Sequence, residues 1–532
     1  MNRQFLLGAM MFLLVITGYN QFVALPRARA AQEAAEAQLK ASAQQATKSA
    51  LNPVLAGESV VTDFQTDSST EELFVLDLPQ AEITFSSQGA GIKKYLFKDV
   101  LGAVDLTPYA GEGYFATWPT LNFSKAEQTA SSVVFQAKPA ANVVITKTYQ
   151  FNENGMNQLN IVIENQGENP LSIADWDFNF GPGLATVASE MRENEAQSKA
   201  VYLVQEEGKK KPTLEKFSKG DDQPTLPWVW AGIQNRYFLT ALIPQGWKPG
   251  KLATDKQDIG TQKRFLGLLG SSKLTGPQLT ISVPGDQIAA RSKVEYKSDF
   301  FFGPKNYAQL LKLPYHLDRS IEFGFFGALG KLVRKILDTF YGWTGNYGLA
   351  IIMLAVFLQA ILCKLTIMQF KSAEQMRKVQ PEMKRLQEKY KNDREKMNME
   401  TLKLYQKYGV NPLSGCLPAL VQLPIFLALF NALRTTWSLH GAGFMWWWTD
   451  LSSKDPYYVL PLLMGAMMYI QQKNSMPAGI DDTQAMMFKF MPIVFTIVFL
   501  NFPSGLVLYY LTYNIISFGI QTMLKRKMAK AN

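Results

Sequence analysis

The chain changes its hydrophobic rhythm twice. Residues 5–25, FLLGAMMFLLVITGYNQFVAL, are one apolar run behind Arg3. The run is marginal for the ~20 residues that cross ~30 Å of hydrocarbon. A cleavable signal peptide competes with an uncleaved anchor. Ala28-Arg29-Ala30 has a small-x-small cleavage pattern, but the apolar core exceeds the usual ~7–15 residues. The anchor reading, residues 1–25, is preferred, and under either one the residues beyond it are exported. Residues 26–57, rich in Ala, Gln, Ser and Lys, predict a flexible linker.

Over residues 58–320 the rhythm has period two. NVVITKTYQF (142–151) and LNIVIEN (159–165) alternate around Asn154-Gly155 and read as hairpin strands. Gly181-Pro182-Gly183 breaks the pattern, and YFLTALIP (237–244) and QLTISVP (278–284) resume it. No stretch here is helical and long, which predicts one large antiparallel β-sandwich.

After residue 320 the rhythm turns helical. Residues 321–342 place Phe325, Leu329, Leu332, Val333, Ile336, Leu337 and Phe340 on one side and Lys331, Arg334, Lys335 and Asp338 on the other, the pattern of an interfacial amphipathic helix. Apolar spans are expected at 343–370, 413–437, 457–472, 486–502 and 503–523. Between the first two, 371–412 carries Met376, Val379, Met383, Leu386 and Tyr390, then Met397, Thr401, Leu404 and Tyr408, at steps of three and four. That predicts a helical hairpin, with a kink or break at Pro381. Residues 438–456 form an aromatic loop holding Trp446, Trp447 and Trp448, a second loop is expected at 473–485, and a basic tail at 524–532.

Charge fixes the orientation. The net charge is +10, with basic residues grouped beside the apolar runs. The hairpin, with Arg377, Lys378, Lys384 and Arg385, and the tail, with Lys525, Arg526 and Lys527, are then cytoplasmic. Interleaved Glu374, Glu382 and Glu388 make a solvated hairpin a better reading than a nucleic-acid patch. Six spans result, with both termini inside and the sandwich outside.

Candidate chemistry is sparse. Cys363 and Cys416 lie in apolar segments and read as buried small hydrophobes. The chain has two histidines, His316 and His440, far apart in topology, and no paired carboxylates or Gly-rich phosphate loop. No enzyme activity, metal or cofactor is expected. Polar groups inside spans are the informative residues. Gln359 and Lys364 interrupt the second span, and Gln422 sits in the third beside Pro418 and Pro424. Lys364 either snorkels to the interface or joins Gln359 in lining a hydrophilic pocket. Met464, Met467, Met468, Met486, Met487 and Met491 crowd the fourth and fifth spans. They serve either plain helix packing or a slide that accepts varied apolar segments.

The strings NPLSGCLPALVQLPIFLALF (411–430), DPYYVLPLLMG (455–465), FPSGLVLYY (502–510), WAGIQNRYFLTALIP (230–244) and FFGPKNY (301–307) resemble those of the YidC family of membrane protein insertases, in its Gram-negative form. The resemblance covers nearly the whole chain. It implies an α-helical membrane bundle, a five-helix core plus the N-terminal anchor, with a large periplasmic β-supersandwich. It also implies a hydrophilic groove open to cytoplasm and lipid, through which inner-membrane proteins are inserted and folded, alone or with the Sec translocon. Counting back from Met376-Arg377-x-x-Gln380-Pro381, the family's groove arginine falls at Gln359, which is neutral, so Lys364 is the expected source of positive charge. Tyr509, Tyr510, Phe426 and Val498 match client-contacting positions. The implied partners are nascent membrane proteins, the Sec translocon and the bilayer, with the ribosome and signal recognition machinery left open. A solute transporter with an exported sensor domain is the alternative, although no internal repeat relates the spans. An anchored carbohydrate-active enzyme would need paired carboxylates in a cleft.

Overall fold

The computed structural model describes residues 60–61, 70–187, 190–191, 194–206, 208, 211–217, 228–263, 271–390, 393–409, 417–475 and 482–531. The expected anchor and linker, Asn411-Pro412 and Cys416 lie outside them.

The largest sheet among the described residues has nine strands. In spatial order they are Thr213–Lys216, Lys199–Val204, Trp228–Gln234, Phe238–Gln245, Ser292–Pro304, Met156–Asn165, Val143–Gln150, Ser132–Ala140 and Ser124–Gln128. All its pairings are antiparallel. Smaller sheets carry Leu73–Asp77 to Val104–Asp105 and Trp176–Phe180 with Ser271–Val283 and Leu252–Lys263. One short parallel pair, Val60–Val61 with Leu171–Ile173, departs from the expected all-antiparallel pattern.

Successive side chains of a strand point to opposite faces, and strand Ser292–Pro304 uses both. Phe300 and Phe302 join the core shared with Phe85, Phe115, Tyr149 and Phe180, while Phe301 joins a second core with Trp230, Leu239, Leu317 and Phe323. Aromatic pairs tie the first core together, including Phe115–Phe300 at 4.8 Å and Tyr95–Phe302 stacked at 4.1 Å.

After the short helix Tyr307–Leu310, seven longer helices follow among the described residues: α1 Gly327–Thr344, α2 Tyr347–Lys389, α3 Arg394–Lys407, α4 Leu417–Arg434, α5 Val459–Ser475, α6 Asp482–Phe499 and α7 Ser504–Ala531. Three of these differ from the sequence reading. In α1, Val333, Leu337 and Phe340 are buried but Leu332 is exposed, as is Phe325 ahead of the helix, and Arg334, on the expected polar side, is 3% exposed. Its guanidinium meets Asp338 at 2.9 Å and donates to Thr436 Oγ1 at 2.7 Å and Ser438 Oγ at 3.1 Å. Thr436 and Ser438 lie 102 and 104 residues away, where periodicity cannot reach them. Secondly, α2 is one helix of 43 residues that joins the second span to the first hairpin arm and runs through Pro381. A proline removes one helical hydrogen bond. Here Val379, Met383 and Leu386 pack with Leu404 and Tyr405 of α3 and hold the register. Thirdly, α7 carries the basic tail in helical form to Ala531.

Tyr347–Met368 is the one segment among the described residues long and apolar enough to cross a membrane by length and composition. Gln422–Arg434, Val459–Gln472 and Phe490–Phe499 are shorter apolar helical segments. Gly465 brings two helices together: a Cβ there would lie 2.0 Å from Thr496 Oγ1, so α5 and α6 cross closely.

Within the sandwich, Lys147 is fully buried without a carboxylate partner among the described residues. Its ammonium donates to Gly89 O at 3.0 Å, Phe115 O at 2.6 Å and Thr117 Oγ1 at 3.2 Å. Burial pushes its pKa well below the usual lysine value. The unfolded chain therefore binds more protons than the folded one between the depressed value and about 10.4, and stability rises with pH across that window. Thermal unfolding of the sandwich followed from neutral pH to about pH 9.5, below the tyrosine range, should show a rising midpoint in the wild type. Lys147→Met should show a shallower slope, the remainder coming from Lys305, whose pKa burial also lowers, to about 7. Equal slopes would mean that Lys147 is charged and stabilised in place.

Candidate functional site

The bundle interior is divided along its length. Toward the exported end the packing is apolar: Val333 and Leu337 of α1, Ala350, Ile351 and Leu354 of α2, Leu429, Ala432 and Leu433 of α4, and Leu506 and Val507 of α7 form one buried cluster. Toward the hairpin end the buried positions turn polar. Gln359 and Thr366 of α2, with Asn514 and Ser517 of α7, are each less than a tenth exposed. Gln359 Nε2 donates to Thr366 Oγ1 at 3.2 Å, and Gln471 Nε2 of α5 donates to Ser517 Oγ at 3.1 Å.

Gln359 Oε1 and Gln422 Nε2 have no hydrogen-bond partner among the described residues, nor do the hydroxyls of Tyr509, a member of the apolar cluster, and Tyr510, which packs on it. A buried polar atom left unpaired costs about 1–3 kcal/mol. Such atoms also occur at the exported end, at Trp447, Trp448 and His440 Nδ1; those on α2, α4 and α7 differ in lying on helices that enclose the bundle interior, and each calls for an explanation.

The expected site residues separate into groups. Gln359 is buried, whereas Lys364 is exposed. Five residues turn a helix by about 140° beyond a full turn, so Lys364 and Gln359 do not share a pocket. Gln422 is half-buried on α4. Phe426 and Tyr510 come together at 5.4 Å, and Phe499 joins Tyr510 at 5.4 Å. Tyr509 is fully buried, and Val498 is 47% exposed among Ile493, Val494 and Ile497, away from that cluster. Among the methionines, Met464 belongs to the apolar core, Met467 and Met468 pack on it, and Met491 is exposed. Met486 and Met487 side chains lie outside the described residues. Cys363 is a half-buried free thiol. On the hairpin Lys378 and Arg385 are exposed, and the side chains of Arg377 and Lys384 lie outside the described residues. Among the described residues no cluster of His, Cys, Asp or Glu could hold a metal.

Thr366, Gln471, Asn514 and Ser517 were missed by the sequence reading. Their signal was present: Tyr510, Asn514, Ser517 and Gln521 recur at three and four residues along α7, one stripe of a helix.

Two family models divide the chain. One, described as the 60Kd inner membrane protein, matches residues 339–531, and the other, the YidC periplasmic domain, matches residues 79–335. The membrane protein insertase YidC of Endomicrobium trichonymphae is 34% identical over 480 residues, 88% of this chain and 88% of the relative. This chain belongs to the YidC family of membrane protein insertases. The YidC insertase of Geobacter sulfurreducens (strain ATCC 51573 / DSM 12127 / PCA) is 38% identical over 392 residues, covering 74% of this chain and 70% of the relative. A solved structure of an active YidC insertase with its first transmembrane domain resolved aligns over 86% of this chain and 94% of its own, at 20% identity and a TM-score of 0.39. Membership makes the chain a non-enzymatic inner-membrane insertase whose sandwich is periplasmic, and the transporter reading gains no support from any of these likenesses.

If the polar half is wet, Gln422→Cys in a chain with Cys363→Ala and Cys416→Ala should react with a membrane-impermeant maleimide added from the hairpin side. Ala432→Cys, in the apolar half, should not. Equal labelling of both would show that the interior is not divided.

Proposed function

We propose that this YidC-family chain inserts client proteins by lending them the polar half of its bundle. The supporting observation is the pair of unpartnered amide atoms, Gln359 Oε1 and Gln422 Nε2, near the buried polar side chains Thr366, Asn514 and Ser517, with the unpartnered hydroxyls of Tyr509 and Tyr510 at the edge of the apolar cluster. Moving a hydrophilic client segment through hydrocarbon is costly because its polar groups lose water. A polar half-channel closed on the exported side receives such a segment part-way, and burial of the client's own apolar helix then drives insertion. No nucleotide is consumed by this step.

The roles follow from this reading. Gln359, with Thr366, and Gln422 hydrogen-bond the client's polar segment. Phe426, Phe499 and Tyr510 form an aromatic wall for its apolar flank. Val498, exposed on α6, meets the client on the lipid side. Lys364, exposed on α2, acts at the mouth of the groove, where it attracts acidic segments and snorkels to the interface. The domain plan is six spans with both termini cytoplasmic, the first span at residues 1–25. The basic hairpin, with Arg377, Lys378, Lys384 and Arg385, and the 473–485 loop face ribosome-bound clients and the signal recognition machinery. The Sec translocon serves clients with large exported domains, and the same surfaces act as a folding chaperone.

Insertion of a one- or two-span client into liposomes holding only this protein tests the reading. Gln359→Leu should lower protease-protected client about tenfold, the scale of one withdrawn hydrogen bond to a desolvated group. Lys364→Leu should instead raise the salt-insensitive fraction, since it removes only a screened attraction. Full insertion by a Gln359→Leu/Gln422→Leu chain would sink the polar-groove mechanism. No insertion by wild type without Sec components would replace autonomous insertion with Sec-coupled assistance.

A further inference from the structure

Where the sandwich meets the exported end of α4 there is a cavity of about 140 Å³. Lys199, Arg236 and Lys305 line it from the sandwich side, and Asn431 and Arg434 from α4, with Glu322 the acidic group of the wall. Glu322 is already held by Lys216 at 2.6 Å and by Gln234 Nε2 at 3.3 Å. Arg236 pairs with Glu190 and donates its Nε to Arg434 O at 2.9 Å. Its Nη2 has no partner among the described residues, although the residue is 8% exposed. Lys305 is 6% exposed, and its ammonium has only long hydrogen bonds to neutral acceptors, Gln234 Oε1 at 3.3 Å and Ser320 O at 3.4 Å.

A helix C-terminus carries roughly half a negative charge, and the Arg236–Arg434 carbonyl bond answers it. The remaining cations exceed what the helix end needs. A planar guanidinium with a free N–H and two ammonium groups around one cavity suit a tetrahedral oxyanion better than a planar carboxylate. The cavity also lies at the end of the apolar helical segment Gln422–Arg434, which the topology proposed above sets at the exported side of the membrane.

We propose that this cavity binds a phosphate group, supplied by an anionic phospholipid headgroup or by free inorganic phosphate, and that the bound group ties the sandwich to α4. Arg236 Nη2 and Lys305 Nζ hold it from the buried side, and Lys199 closes it from the exposed side. Burial holds Lys305 near a pKa of about 7. Its neighbours are Glu322 and Lys216, Lys199, Arg236 with Glu190, and Arg434. A bound phosphodiester favours the protonated amine, so affinity for a lipid whose own charge is constant falls as pH rises from about 6 to about 8.

The test uses the full chain purified in a neutral detergent. Native mass spectrometry counts retained phosphatidylglycerol against phosphatidylcholine, and calorimetry measures inorganic phosphate. Lys199→Glu changes an exposed residue without threatening the fold, and Lys305→Met probes the buried side. The expected result is preferential phosphatidylglycerol retention that falls about tenfold in Lys199→Glu, the scale of one charge-assisted hydrogen bond. Retention that inorganic phosphate does not displace assigns the lipid. Stoichiometric phosphate binding that displaces it assigns the free ion, and both support the site. Equal retention by wild type and both variants, with no phosphate heat, overturns it.

Discussion

The contacts between the bundle and the sandwich centre on one aromatic side chain. Trp437, just past α4, packs against Phe238 at 5.1 Å, Tyr237 at 5.5 Å and Phe97 at 6.0 Å, and His440 stacks on its outer face at 4.7 Å. His440 Nε2 reaches Asp99 Oδ2 of the sandwich at 2.7 Å. Gly441 adopts a left-handed conformation, φ +67°, and a Cβ there would press to 2.6 Å from Val100. This short segment thus enters the sandwich as a plug. Arg334 reaches the same region from α1 through Thr436 and Ser438. The exported ends of α1 and α4 are fixed by these contacts.

With the exported ends fixed, the apolar half of the bundle packs as an ordinary core, and the polar half is free to be suboptimal. Asp450 and Asp455 finish the arrangement. Asp450 accepts from the backbone N–H groups of Gly441 and Ser452, and Asp455 accepts from Leu460 N at 2.8 Å at the start of α5. Ser504 N and Gly505 N donate to Ser453 O and Leu451 O, so the turn before α7 is sewn to the same loop. The exported side is cross-linked by these hydrogen bonds, while the middle of the bundle holds Gln359 and Gln422 with atoms that have no partner among the described residues, the kind of local compromise that sites of function commonly show.

Much of the architecture was legible because burial writes a period into the sequence. In strand Met156–Asn165 the stretch LNIVIEN, read from its alternation, keeps that alternation in its burial, with Leu159, Ile161 and Ile163 buried and Asn160, Val162 and Glu164 less so. The hairpin seam of Val379 and Leu404 followed from steps of three and four. What failed was whatever depended on a distant partner. Arg334 read as solvated because Thr436 and Ser438 are remote in sequence. Gln359 and Lys364 read as neighbours because they are close in sequence, although helical geometry turns them to different sides. Thr366 and Ser517 escaped notice because single hydroxyls in spans are common and weak signals.

The continuity of α2 has a mechanical consequence. At 1.5 Å per residue a helix of 43 residues is about 65 Å long. One rigid rod therefore carries Ala350 and Leu354 in the sealed end, Gln359 in the middle and Val379 in the hairpin. A load applied at the hairpin tip arrives at Gln359 as displacement of a lever whose fulcrum is the sealed end. Pro381, where one backbone bond is missing, is the point along the helix most able to bend, so a load at the hairpin divides between bending there and displacement of the helix beyond it.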